Sequence, residues 1–99
     1  MDHFSYRPRV LHCEDVPVAA LAEQYGTPLY VYSRATLLHH LAQLQRAFAA
    51  AAPLISYSVK TNANLHICRV MRAHGSGFDV TSGGELYRAL EAGGTGAMR

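Results

Sequence analysis

The order of its punctuation most constrains what this chain can fold into. From Pro28 onward, short runs rich in aromatic and β-branched residues alternate with segments of helical period. Glycine or proline marks the junctions at 26–28, 53, 75, 83–84 and 93. Strands that alternate with helices of about ten residues imply parallel pairing, because two parallel strands can be joined only by a crossover. The fold class is therefore α/β, with right-handed crossovers. In sheets of this kind, open or closed into a barrel, chemistry gathers at the carboxyl ends of the strands.

The elements read as follows. Asp15 is placed to cap a helix whose apolar residues Val18, Leu21, Ala22 and Tyr25 follow helical spacing, and Gly26 ends it. Pro28-Leu29-Tyr30-Val31-Tyr32 predicts a strand, and Ser33 is a candidate cap for a second helix. Leu37, Leu41, Leu44 and Phe48 mark one face of that helix, which the alanines at 49–52 can extend until Pro53. Leu54-Ile55-Ser56-Tyr57-Ser58-Val59 predicts a strand that ends at Lys60, followed by a polar turn at 61–64. A helix over 65–74 carries Ile67, Val70 and Met71 on its buried stripe and stops at Gly75. A strand over 77–81, a turn at 82–84 and a helix over 85–92 closed by Gly93 complete the chain.

Composition excludes several functions. Nine basic and seven acidic residues are scattered without a basic stripe, which argues against nucleic acid as a partner. The longest apolar stretch is broken by His39, His40, Gln43, Gln45 and Arg46, and the N-terminus lacks the order of a signal peptide, so a soluble, cytoplasmic protein is expected. Cys13 and Cys68 form no C-x-x-C and read as reduced thiols, Cys68 being packed in a helix. The histidines show no pair at i, i+4, and no metal site is expected. Ser82-Gly83-Gly84 before a helix could cradle an anion, but such turns mostly serve tight packing. No phosphate-loop motif is present, and Gly93-Gly94-Thr95-Gly96 follows a helix where a dinucleotide fingerprint follows a strand.

Lys60 is the candidate for chemistry. An amine attacks an aldehyde only when unprotonated, and burial, neighbouring cations or the ligand itself must take its proton away. A strand end can supply such surroundings, although a solvated lysine is the commoner occupant of that position.

The run Tyr57-Ser58-Val59-Lys60-Thr61-Asn62-Ala63-Asn64-Leu65 resembles the cofactor-lysine segment of the fold-type III pyridoxal-phosphate decarboxylases, which act on diaminopimelate, ornithine or arginine. Gly75-Ser76-Gly77-Phe78-Asp79-Val80-Thr81-Ser82-Gly83-Gly84-Glu85-Leu86 is similar to the group's next barrel strand and turn, and residues 25–32 to its opening strand. The glycine-rich second phrase is most like the bacterial enzymes acting on diaminopimelate. Ser58 and Thr61 stand where alanine is more usual.

The resemblance implies the opening βα units of an alanine-racemase-like (β/α)8 barrel, incomplete in this chain. Residues 1–32 would form a leading helix and opening strand, and 33–99 the first part of the barrel. It implies pyridoxal 5'-phosphate as cofactor, carried by Lys60 as the catalytic residue, with Asp79, Ser58 and Glu85 lining the cofactor. The two carboxylates also have local explanations, a turn cap for Asp79 and the helix dipole for Glu85. The implied reaction is decarboxylation of a basic amino acid, most closely meso-2,6-diaminopimelate to L-lysine, by a homodimer. The phosphate-binding glycines, ring-nitrogen carboxylate and proton-donor cysteine of the group come from later segments. Three alternatives stand beside it: a decarboxylase of ornithine or arginine, a non-catalytic carrier or regulator of the same fold that still holds the cofactor, and an α/β interaction fragment with Lys60 on its surface. A barrel takes about 250 residues, so the chain by itself is expected to be unstable and inactive.

Overall fold

Ser56, Tyr57 and Ser58 pair in parallel with Gly77, Phe78 and Asp79, the pairing that a strand–helix–strand order demands. The computed structural model describes residues 3–96, and the chain divides into two compact units, residues 1–40 and 41–99.

In the first unit, β1 (Phe4–Tyr6), β2 (Leu11–Cys13) and β3 (Val16–Pro17) form an antiparallel meander in the order β1-β2-β3. Glu14 and Asp15 make the tight link between β2 and β3, and Glu14 adopts φ 56°, the left-handed conformation that such turns require. Helix α1 (Val18–Tyr25) follows, and Gly26 ends it at φ 83°. Asp15 does not cap this helix. Pro17 takes the cap position without a side-chain bond, because Val16 and Pro17 are already committed to the sheet.

Residues 28–32 are not a strand: among the described residues they join no ladder. Their composition favours extended backbone, but a strand also needs a neighbour to bond its N–H and C=O groups. Helix α2 (Arg34–Ala47) starts where Ser33 was expected to cap it, with the Ser33 hydroxyl accepting the Thr36 amide at 3.1 Å.

The second unit takes in the end of α2 and everything after it. The alanines do not prolong α2. A 3₁₀ turn over Ala49–Ala51 replaces the α-helix, and Ala52 turns left-handed at φ 48° ahead of Pro53. Then come β4 (Ser56–Ser58), a 3₁₀ turn (Val59–Thr61), α3 (Leu65–Ala73), β5 (Gly77–Asp79) and α4 (Gly83–Glu91). Asn64 caps α3 by accepting the His66 amide at 2.9 Å, and Ser82 caps α4 by accepting the Glu85 amide at 3.1 Å.

Both helices end in the same way. The Ser76 amide bonds the Met71 carbonyl and the Gly75 amide that of Arg72; the Gly94 and Gly93 amides likewise bond Ala89 and Leu90. This is the Schellman arrangement, and it needs left-handed backbone at Gly75 (φ 93°) and Gly93 (φ 102°).

The helices cover a small core of Val59, Cys68, Phe78, Ala89 and Ala92, with Tyr57, Ala63, Leu65 and Val80 packed around it. Burying a side chain such as Phe78 stabilises by about 1.5–3 kcal/mol. Ser76 is fully buried and its hydroxyl donates to the Gly77 carbonyl at 2.8 Å, so no polar group there is left unsatisfied. No helix of the described residues is long and apolar enough to cross a membrane.

Candidate active site

The parallel register sets Ser58 opposite Asp79, so β4 and β5 end level with one another. Past Ser58 the backbone tightens into the 3₁₀ turn, one residue earlier than the run of strand-forming residues predicted. Val59 turns fully into the core and Lys60, next to it, is exposed. The Tyr57 hydroxyl donates to the Asn62 carbonyl at 2.7 Å, and the Asn62 side chain accepts the Asn64 amide at 3.0 Å. The lysine thus stands on a short turn held at its start by a buried valine and at its end by an asparagine that leads into a helix cap.

The second side of the site begins where β5 ends. Asp79 is exposed, and two residues on Thr81 and Ser82 lead into α4. Glu85, in the first turn of that helix, folds its carboxylate back. It accepts the Thr81 amide at 3.2 Å, the Thr81 hydroxyl at 2.9 Å and the Ser82 hydroxyl at 3.3 Å. These bonds, that of the Thr81 hydroxyl first, hold the Glu85 carboxyl below its ordinary range, and the Lys60 charge adds to them. Lys60 and Glu85 therefore lie within electrostatic reach of one another.

Of the four residues singled out in the sequence, Ser58 and Asp79 are register partners and Lys60 and Glu85 are electrostatic neighbours. All four lie at, or just past, the carboxyl ends of the two strands. Lys60 itself is exposed. Tyr57, Asn62 and Thr81, which help set the two sides of the site, were not singled out from the sequence, and Ser82 was read as part of a strand-end turn without its cap on α4. For Ser82 a signal was present, since Ser-x-x-Glu at 82–85 is a capping-box spacing.

The chemistry fits an aldehyde-bearing cofactor. Such a group needs a primary amine, and the chain has one lysine, placed at a strand end where neither burial nor a cation takes its proton, so that the ligand itself would have to.

Comparison with known proteins agrees. Residues 34–98 match the family described as pyridoxal-dependent decarboxylase, pyridoxal binding domain. The chain is 50% identical over 94 residues to the diaminopimelate decarboxylase of Haemophilus influenzae, and covers 95% of this chain and 23% of that one. It is 54% identical to that of Neisseria meningitidis serogroup B, covering 88% of this chain and 21% of the relative. Among solved structures, a protein of Aquifex aeolicus superposes with a TM-score of 0.87 at 40% identity, over 93% of this chain and 23% of that one. A diaminopimelate decarboxylase of M. jannaschii in complex with L-lysine gives 0.87 at 33%, over 92% and 22%.

The fold and site thus define an α/β segment of the kind found in diaminopimelate decarboxylases. The chain belongs to the pyridoxal-dependent decarboxylase family and carries part of its pyridoxal-binding domain. It spans about a fifth of the length of these relatives.

Proposed function

We propose that the full-length protein carrying this segment decarboxylates meso-2,6-diaminopimelate to L-lysine, as a step of lysine biosynthesis, using pyridoxal 5'-phosphate. The observation that carries the proposal is the placement of the chain's one lysine at the carboxyl end of β4, with the β5 carboxylate Asp79 at the matching strand end. Residues 1–32 would lead into the barrel and 33–99 would open it, as the first βα units of an alanine-racemase-like (β/α)8 barrel. The protein would be cytoplasmic and homodimeric.

When bound, the cofactor supplies an electron sink for the charge left as carbon dioxide departs. Lys60 would hold it and exchange with the substrate amine. Ser58 and Asp79 would line its near side at the level strand ends. Glu85, kept ionised by Thr81 and Ser82, would supply a fixed negative charge beside the Lys60 amine. These residues fit one half of a pocket, and the remaining strands of the barrel would exclude water from the other.

The test is carbon dioxide release by the complete gene product, supplied with pyridoxal phosphate and given meso-2,6-diaminopimelate, ornithine or arginine in turn. Release from diaminopimelate alone, with L-lysine as product, is expected. Cofactor held on Lys60 without release from any of the three would make the protein a carrier, and release from ornithine or arginine would move the substrate.

A further inference from the structure

The bonds around Glu85 go beyond what capping requires. Ser82 already satisfies the start of α4 by accepting the Glu85 amide at 3.1 Å. In the usual reciprocal box the glutamate reaches back to the amide of the capping residue. Here it reaches one residue further, to Thr81, and both of its oxygens are engaged: the Thr81 amide on Oε1 at 3.2 Å, the Thr81 hydroxyl on Oε2 at 2.9 Å. A glutamate at the protein surface otherwise samples many rotamers, and two donors from one residue, with Ser82 as a third, select one.

We infer that Thr81 is a positioning residue, which fixes the Glu85 carboxylate at the start of α4, the helix against which the Lys60 turn packs. The inference rests on the reading of Lys60 as the cofactor lysine. Its chemical content is that Thr81 acts through Glu85 and touches neither cofactor nor substrate. The titratable and charged side chains on the surrounding elements are Lys60 in the turn, Asp79 at the end of β5, Arg88 and Glu91 further along α4, and His66, Arg69 and Arg72 on α3, which packs against α4. Arg88 is engaged with the Ala63 carbonyl at 3.3 Å, and it is the Lys60 charge that acts on Glu85.

Thr81→Val keeps the shape and the backbone donor but removes the hydroxyl, whereas Thr81→Ser keeps both donors. The experiment uses the complete gene product loaded with pyridoxal phosphate. It reads the pH midpoint of the bound cofactor's visible absorbance, and kcat and KM separately. For Thr81→Val the midpoint is expected to fall, since a loosely held anion stabilises positive charge at the lysine less well. Its kcat should drop about three- to tenfold with KM little changed, the loss expected for one ordinary hydrogen bond at an exposed site. Thr81→Ser should restore both readouts, and Thr81→Val should add nothing once Glu85→Gln is present. A normal midpoint and kcat in Thr81→Val, or additive effects in the double variant, would overturn the inference while leaving Lys60 in its role. Wild-type protein whose cofactor sits elsewhere than Lys60 would overturn both. Should Thr81→Val fail to fold, Thr81→Ala gives the same comparison without the branched side chain.

Discussion

Ser58 and Asp79 face each other across the parallel β4–β5 ladder, and this pairing fixes where the site can be. It levels the two strand ends, so that the 3₁₀ turn delivers Lys60, two residues past Ser58, to the carboxyl edge, where α/β folds hold their ligands.

The acid limb of stability should depend on Glu14. Its carboxylate accepts the buried Ser33 hydroxyl at 2.8 Å and the Ala35 amide at 3.3 Å, and so caps α2 from the β2–β3 turn. The Ser33 hydroxyl first, then the Ala35 amide, hold this carboxyl below its ordinary value of 4.5. A carboxyl depressed in the folded state stabilises fully above its unfolded value, and that contribution is lost as pH falls through the folded one. Glu14→Gln should therefore lower Tm at neutral pH, and the two melting curves should converge once the pH is well below 4.5. A constant Tm difference at every pH would contradict this.

That cap also shows what sequence could and could not disclose. Much of the second unit was legible because its boundaries are local chemistry: Gly75 and Gly93 end helices, and the core residues Cys68 and Phe78 lie within elements that their neighbours specify, whereas Asn64 and Ser82 read only as turn residues and the alanines at 49–52 read as helix. The meander of β1, β2 and β3 was missed, because strands of two or three residues are too short to show alternation. Glu14 was invisible as a cap for α2, being 19 residues from Ser33. Residues 28–32 misled, since strand composition does not supply a partner. At the site, Ser58, Lys60, Asp79 and Glu85 could be located from strand ends and resemblance. The clamp by Thr81 could not, because it depends on which rotamer Glu85 adopts.

Gly94 should not tolerate a side chain. A Cβ there would lie 2.7 Å from the Ala89 carbonyl oxygen and 3.2 Å from the Phe78 ring, and the backbone oxygen cannot move without breaking the end of α4. Gly94→Ala should destabilise by about 1–3 kcal/mol. Gly96, with nothing within 4 Å of its would-be Cβ, is the control, and Gly96→Ala should be near neutral. Denaturant midpoints of the two variants of the complete gene product check this; equal shifts would show that the α4 terminus is not held as described.

Both cysteines should resist alkylation in the native protein. Cys68 is fully buried and Cys13 nearly so, and burial raises each thiol above its ordinary value, with the Glu14 charge adding at Cys13. Iodoacetamide should label their peptides slowly before denaturation and quickly after it. Rapid native labelling of Cys68 would mean that the core around Val59 and Phe78 opens readily.

The role of Lys60 is tested most directly by borohydride reduction of the complete gene product after incubation with pyridoxal phosphate, followed by peptide mass mapping. The cofactor mass should appear on the peptide containing Lys60 and vanish from it in Lys60→Arg. An unmodified Lys60 peptide, with label spread over the N-terminal amine and other lysines, would rule out Lys60 as the residue that holds the cofactor.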